Sequence, residues 1–151
     1  MPAPTDDLGL RPAVPRDVPG IVRVHLRARA AAPMPAPVPG DAEVARWLGS
    51  RIGQDETWVA EVAGEVVGYA RFTRTWLDDL YVDPDHAGAG IGSALLDVVK
   101  ARHPGGFGLW VFASNTPARA FYAAHGLLER EHTDGSANAE QEPDVRMEWP
   151  G

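Results

Sequence analysis

The feature that most constrains this chain is a glycine-rich turn, Gly88-Ala89-Gly90-Ile91-Gly92-Ser93. Before the turn, Trp76 to Val82 has the composition of a β-strand, and after it apolar residues recur at helical spacing to about Arg102. A glycine turn at the start of a helix lets the backbone approach a ligand and points free N–H groups at one place, where the helix dipole favours an anion. The turn therefore predicts a phosphate-binding site in a protein that mixes strands and helices.

Two common phosphate motifs do not fit these residues. A Walker A loop needs Gly-Lys-Ser or Gly-Lys-Thr, which is absent here, and a dinucleotide-binding fingerprint needs its third glycine where Ser93 stands. Two alternatives stay open for the turn taken alone. It is a tight connection without a ligand, or it belongs to a nucleotide binder of the dinucleotide-binding type that NAD or ATP stabilises.

The remaining strand and helix signals predict an α/β fold in one domain over residues 1–151, in the order β-α-α-β-β-β-α-β-α-β-β. The nearly continuous apolar run from Phe107 to Ala113 predicts a strand buried near the middle of the sheet. Thr116 is the predicted cap of the following helix, with Pro117 in its first position. In the first helix, Ile21, Val22, His25 and Leu26 are predicted to share the packed face.

Composition excludes several classes of function. The chain contains no cysteine, so disulfides, thiolate metal sites and a cysteine nucleophile are absent. The formal charge of -7 and the lack of a Lys or Arg cluster argue against a nucleic-acid partner. The histidines lack metal-ligand spacing, and we predict no metal site. Without an apolar membrane span, or a signal-peptide pattern from Met1 to Asp7, we expect no membrane association and a cytoplasmic location.

Longer segments carry a resemblance to a known family. Leu80 to Leu96, which contains the glycine turn, resembles the acetyl-CoA-binding segment of the GNAT superfamily of N-acetyltransferases. That pattern is Arg or Gln, two residues, Gly, one residue, then Gly or Ala. Asn115 to Leu127 is similar to the family's Asn, Ala, Tyr segment, and Leu10 to Ala13 with Asp17 is a shorter match near the start. One position departs from the pattern, because Ala87 replaces the Arg or Gln.

The resemblance implies the GNAT fold, in which the fourth and fifth strands splay apart to hold the pantetheine arm of acetyl-CoA. It also implies the cofactor-binding residues, which are Leu80, Tyr81, Val82, Ala87, Gly88, Ala89, Gly90, Ile91, Gly92, Ser93, Asn115, Ala118 and Tyr122. Backbone groups of the strand would bind the pantetheine and the acetyl carbonyl, and the turn would hold the pyrophosphate. The absence of a longer side chain at Ala87 is expected to lower the affinity for the cofactor.

Two side chains are predicted to carry the chemistry. Tyr122 is the candidate general acid, because a phenol close to the sulfur can protonate the leaving thiolate. On helical periodicity alone a packed aromatic with a surface hydroxyl is the favoured alternative, and the place of Tyr122 in the matching segment favours the general acid. Asp78 is the candidate base for the amine, with Asp79 and ordered water as alternatives. Adjacent residues of a regular strand face opposite sides, which predicts that at most one of the two aspartates points into the site.

These inferences together predict an acetyl-CoA-dependent N-acetyltransferase that transfers the acetyl group directly to a primary amine of a small molecule or a peptide in a ternary complex. The alternative function is a non-catalytic acyl-CoA-binding sensor. In proteins of this fold the acceptor is flanked by two loops, here the segment from Pro33 to Pro39 and the acidic segment from Asp134 to Asp144. The oligomeric state stays open, with a homodimer as one alternative.

Overall fold

The computed structural model describes residues 7–151. Within this range seven strands and four α-helices follow one another in the predicted order. The strands are β1 (Leu8–Pro12), β2 (Glu56–Val62), β3 (Glu65–Thr73), β4 (Trp76–Val82), β5 (Phe107–Phe112), β6 (Leu128–His132) and β7 (Asp144–Trp149). The helices are α1 (Val18–Ala31), α2 (Asp41–Arg51), α3 (Ile91–Arg102) and α4 (Thr116–Ala124). Residues Met1 to Asp6, on which most of the signal-peptide expectation rests, lie outside the described residues. The single domain over 1–151 stays a prediction.

The strands form one mixed sheet in the order β1-β2-β3-β4-β5-β7-β6. Neighbouring strands are antiparallel except β4 and β5, which run parallel. The parallel direction follows from the crossover through α3, since a two-residue turn cannot connect parallel strands. No helix within residues 7–151 is long and apolar enough to cross a membrane. The cytoplasmic location stays a prediction.

Helices cover both faces of the sheet. Ile21 and Val24 of α1 and Leu48 of α2 pack on Tyr69 of β3 to form the core of one face. The packed face of α1 also includes Val24, which was not predicted and is fully buried, whereas the predicted Val22 is partly buried at the margin of this core.

On the opposite face, α3 and α4 pack against the middle of the sheet. This core contains Leu95, Leu96 and Val99 of α3 and Tyr122 of α4, together with strand residues such as Leu109. Leu95 is completely buried, and burial of such a side chain stabilises the fold by about 1.5–3 kcal/mol.

The sheet opens between β4 and β5. The only registered pair that joins these strands is Trp76 with Gly108, at one end of both. A Cβ atom on Gly108 would lie 2.9 Å from the Trp76 ring, so glycine is needed for this close approach. Beyond that pair the strands diverge towards Val82 and Phe112, and the predicted splay is confirmed.

Two local predictions were wrong. Only alternate residues of β5 are buried, and Trp110 on the other face is 44% exposed, because the helices of that face do not extend over β5. The cap of α4 is Asn115 rather than Thr116, since the Asn115 side chain accepts the hydrogen bond from the Ala118 N–H at 3.4 Å.

Candidate active site

A cavity of about 200 Å³ lies in the wedge between β4 and β5. We call it the wedge cavity. Its walls come from β4, β5, the start of α4, the end of α1 and the segments next to them. The lining residues are Arg29, Met34, Leu77, Asp78, Asp79, Leu80, Tyr81, Leu109, Trp110, Val111, Phe112, Asn115, Ala118, Tyr122 and Asp144. The cavity exists because diverging strands leave backbone and side chains of both edges without a neighbouring strand.

A β-bulge at Asp78 brings both adjacent aspartates to this cavity. Arg71 of β3 is paired with Asp79, whereas the next residue, Phe72, is paired with Leu77, so Asp78 is the extra residue on β4. A bulge interrupts the alternation of faces along a strand. The prediction that at most one aspartate points into the site was therefore wrong, because Asp78 and Asp79 both line the cavity.

The two aspartates differ in their partners. Asp79 is largely buried and accepts a hydrogen bond from Arg71 Nε at 2.7 Å, and Arg71 in turn contacts Asp55 at 2.8 Å. Asp78 is exposed and accepts a hydrogen bond from the Thr73 hydroxyl at 2.5 Å. Partial desolvation raises the pKa of Asp78 above its usual range, although Thr73 and Arg71 oppose the shift. Asp78 therefore takes up a proton more readily than an ordinary aspartate.

Two tyrosines stand in the wall of the cavity. Tyr122 is 9% exposed and packs edge-on against Phe121, with ring centroids 5.3 Å apart. Burial raises its pKa well above the usual value, and the nearby Tyr81 adds to the shift. Burial also raises the pKa of Tyr81 to about 12, with Asp79 as the next cause. Both phenols are therefore protonated at neutral pH, and the alternative that Tyr122 holds a surface hydroxyl does not apply.

The glycine turn follows β4 and starts α3. Gly88 and Gly90 both have a φ of 80°, and Gly90 is the cap of the helix in the left-handed conformation. A residue with a Cβ atom adopts this conformation at a cost of roughly 1–2 kcal/mol. The first hydrogen bond of α3 runs from the Ala94 N–H to the Gly90 carbonyl. The preceding amides, from Ile91 to Ser93, are therefore without helical partners and stay available to an anion.

Contacts with α4 hold the start of α3 in position. His125 Nδ1 lies 2.8 Å from the Phe121 carbonyl, and its Nε2 lies 3.0 Å from the Ser93 hydroxyl. A carbonyl only accepts, so in the neutral imidazole Nδ1 donates and Nε2 accepts from Ser93. The Ser93 side chain is thus occupied, while its amide remains free for a ligand.

The structure divides the predicted site residues between two adjoining places. Asp78, Leu80, Tyr81, Asn115, Ala118 and Tyr122 line the wedge cavity. Val82, Ala87, Gly88, Ala89, Gly90, Ile91, Gly92 and Ser93 form the end of β4 and the turn after it. Ala87 is exposed, and its methyl side chain is too short to cover the backbone of the turn.

Eight lining residues were not predicted as site residues: Arg29, Met34, Leu77, Leu109, Trp110, Val111, Phe112 and Asp144. Met34 and Asp144 belong to the two segments that were expected to flank the acceptor. For Arg29 and Trp110 the sequence carries no local signal, because their neighbours in the cavity come from distant parts of the chain.

The sequence model of the acetyltransferase (GNAT) family matches residues 24–127, which is more than half of the chain. The chain belongs to the GNAT acetyltransferase family. The matched range contains β4, the glycine turn and all of α4. The predicted superfamily is confirmed.

Several named proteins are similar over part of their length. An uncharacterized N-acetyltransferase of Archaeoglobus fulgidus is 33% identical over 108 residues, covering 62% of this chain and 72% of the relative. The peptidyl-lysine N-acetyltransferase YiaC of Escherichia coli is 34% identical over 98 residues, covering 63% of this chain and 64% of YiaC. The match to an uncharacterized N-acetyltransferase of Methanocaldococcus jannaschii covers 46% of that protein, about half its length.

Solved structures agree with the fold. A GCN5-related N-acetyltransferase from Rhodopseudomonas palustris superposes with a TM-score of 0.80 at 20% identity, covering 100% of this chain and 98% of that chain. Apo YjaB from Escherichia coli gives a TM-score of 0.77 at 20% identity, covering 95% of this chain and 98% of that chain. The predicted α/β fold with splayed central strands is therefore confirmed.

Proposed function

We propose that this protein is an acetyl-CoA-dependent N-acetyltransferase that transfers the acetyl group directly to a primary amine. The observation that carries the proposal is the wedge cavity, because it joins unpaired strand backbone, a buried phenol and a carboxylate at one place. Acetyl-CoA supplies the activated acyl group as a thioester. The remaining tasks fall to residues of this chain.

The residues at the turn and the wedge fit a ligand with phosphates and a narrow arm. The free amides from Ile91 to Ser93 would hold the pyrophosphate, and the helix dipole of α3 favours its charge. The backbone of Leu80, Tyr81 and Val82 is paired with β3 on one edge and open on the edge that faces β5, and groups on the open edge would bind the arm and the acyl oxygen. Asn115 and Ala118 at the start of α4 would contact the opposite side of the arm.

Tyr122 is the proposed general acid. A phenol carries its proton at neutral pH, so the hydroxyl can donate it to the leaving sulfur as negative charge develops there. The tight packing against Phe121 fixes the ring and hence the direction in which the hydroxyl points. A fixed donor is favourable because no reorganisation is required when charge develops.

Asp78 is the proposed base, acting directly or through an ordered water. An amine in solution is largely an ammonium ion and must lose a proton before its nitrogen attacks the acyl carbon. Asp79 is less suited to this role because its charge is already paired with Arg71 at 2.7 Å. Asp78 takes one proton from the ammonium ion before attack. As the new C–N bond forms and the C–S bond breaks, the Tyr122 proton goes to sulfur, and the second proton that the nitrogen loses returns to the Tyr122 phenolate through water.

A ternary complex is the proposed kinetic order. Without cysteine the chain has no thiol to accept the acetyl group as an enzyme thioester. Direct transfer within a complex that holds both substrates is then the simplest route. The amine substrate is a small molecule or a peptide, and the name of YiaC as a peptidyl-lysine N-acetyltransferase supports peptide lysine as one class to test.

The proposal is tested by thiol release from acetyl-CoA over a panel of primary amines, amino acids and short peptides, with mass spectrometry to identify an N-acetyl product. Varying both substrates together should give intersecting initial-velocity lines, as a ternary complex requires. Parallel lines would contradict direct transfer. If acetyl-CoA raises the melting temperature while no amine is acetylated, the protein is a binding module and the proposed activity is wrong.

A further inference from the structure

Arg29 in the last turn of α1 has a hydrogen-bonding group that the chain leaves unused. The side chain lines the wedge cavity beside Met34 and Tyr81 and is only 13% exposed. Its Nε atom is buried and has no hydrogen-bond partner among residues 7–151. Native structures rarely leave a buried donor without an acceptor. Because Nε is covered in this structure, an oxygen atom of a group that enters the cavity can accept its hydrogen bond only after a small shift of the Arg29 side chain or of the groups that cover it.

The rest of the guanidinium is held by the two segments beside the cavity. Nη2 donates to the Pro35 carbonyl at 3.2 Å and lies 3.8 Å from Glu140 Oε1, an ion pair too long for a hydrogen bond. Nε and Nη2 share one edge of the guanidinium, which suits a planar oxygen group. Among residues 7–151 the hydrogen bond to the Pro35 carbonyl is the one that the guanidinium donates, and it comes from Nη2. The Tyr81 hydroxyl lies near enough for Arg29 to lower the pKa of Tyr81 against the effect of burial.

The charges around Arg29 decide which oxygen fits. Glu140 is close enough to compensate the positive charge, and three further carboxylates, Asp78, Asp79 and Asp144, line the same cavity. Another carboxylate would be repelled by these groups. A neutral carbonyl oxygen satisfies the N–H donor without adding negative charge.

We propose that Arg29 binds an amide carbonyl oxygen of the acceptor, so that the acceptor is an amine that also carries an amide, as peptides and amino-acid amides do. This inference rests on the proposed acetyl transfer and adds the acceptor class to it. Arg29 acts here as a specificity residue, and the proton transfers at Tyr122 and Asp78 do not depend on it.

Matched acceptors separate the contribution of the amide carbonyl from that of the amine. One set is alaninamide, alanine and ethylamine, and the other is Nα-acetyllysinamide, Nα-acetyllysine and pentylamine. We expect kcat/KM in the set that fits the site to be at least about tenfold higher for the amide than for the alkylamine, which corresponds to about 1.4 kcal/mol. The free acid should be the poorest of the three.

Two variants assign the preference to Arg29. Arg29→Gln should lower kcat/KM for the amide about tenfold more than kcat/KM for the alkylamine, mainly through KM. Arg29→Lys keeps the charge but lacks the Nε–H edge, and should not restore the preference. The matched control is Arg23→Gln on the same helix, because Arg23 contacts Glu65 and the Val66 carbonyl outside the cavity. An unchanged melting temperature and KM for acetyl-CoA exclude a folding defect.

Calorimetry of the CoA-loaded protein with alaninamide and Nα-acetyllysinamide provides a readout that needs no turnover. Wild type should bind one of the two amides, and Arg29→Gln should bind it about tenfold more weakly. The proposal is wrong if neither amide binds, if the amide preference survives in Arg29→Gln, or if free acids are preferred. Acetylation of alkylamines without any amide preference would overturn this inference while supporting the acetyltransferase activity.

Discussion

The two sides of the wedge cavity are built from different kinds of groups. The turn side, residues 80–93, presents mainly backbone, with free amides at the start of α3 and an open strand edge after Trp76. The loop side, formed by Arg29, Met34 and residues 133–144, presents side chains that are held by contacts between distant segments. Backbone groups recognise what every ligand of a family shares, whereas side chains can differ from one member to the next.

This contrast has a consequence for substitution. A change on the turn side that alters only a side chain should have a small effect, unless the backbone conformation itself depends on it. A substitution on the loop side, or at a side chain that takes part in the chemistry, should alter the rate or the choice of acceptor. It should not abolish binding of the cofactor. The four predictions below test this from the largest expected effect to the smallest.

Tyr122→Phe should lower kcat by roughly 100-fold or more, because general acid catalysis contributes about 10²–10⁴-fold. The substitution keeps the ring that packs on Phe121 and removes only the hydroxyl. Thiol release and the N-acetyl product measure the rate, and the shift in melting temperature with acetyl-CoA should match that of wild type. Unchanged turnover would remove Tyr122 from the chemistry and leave it as a packed aromatic.

Asp78→Asn should lower kcat/KM by roughly tenfold or more and change its dependence on pH. The carboxylate is the form that accepts a proton, and its pKa is raised above the usual range by partial desolvation. Activity of the wild type should therefore fall as the pH is lowered through that raised pKa, and Asp78→Asn should lose this acidic limb. A pH profile of kcat/KM makes the comparison. Persistence of the same limb in the variant would point to another group.

The contrast between the two sides also decides how much of the site could be predicted. Glycines and apolar periodicity are local features, so the turn from Gly88 to Gly92 and the order of elements could be found in the sequence. The bulge at Asp78 could not, because it depends on how β4 is registered against Arg71 and Phe72 of the neighbouring strand. Strict alternation of side chains along β4 predicts that adjacent residues face opposite sides of the sheet. The one extra residue of the bulge changes which side chains share a face.

Arg29 illustrates the same limit on the loop side. In the sequence it is an ordinary basic residue near a helix end, where it complements the helix dipole. Its unused Nε–H and its pair with Glu140 become visible only when α1 and the segment before β7 lie next to each other. A contact between residues more than a hundred positions apart leaves no pattern in one sequence. The exposure of Trp110 could not be predicted for a related reason. Apolar character alone does not tell which face of β5 is covered by a helix.

Gly90→Val should raise the KM for acetyl-CoA about tenfold, with a smaller change in the KM for the amine. Gly90 has a φ of 80°, and a branched side chain in this conformation costs roughly 1–2 kcal/mol, which the turn relieves by moving its amides. Gly53→Val is the matched control, because Gly53 has a φ of 100° and nothing within 4 Å of an added Cβ atom. The control should lose stability and keep the KM. An equal rise in both variants would show that strain alone, and not the position of the turn, changes the affinity.

Ala87→Arg should lower the KM for acetyl-CoA by up to about fivefold, because an exposed ionic contact contributes at most about 1 kcal/mol. Ala87 is exposed with a φ of −62°, so an arginine fits the backbone without strain. The gain should decrease as salt is added, since exposed charges are screened. Ala42→Arg, which adds the same charge to an exposed position of α2, should leave the KM unchanged. Ala87→Gln tests whether a hydrogen bond without charge is enough. If neither Ala87 variant changes the KM, the turn side binds the cofactor through its backbone alone, and the residue at the head of the family pattern is dispensable in this protein.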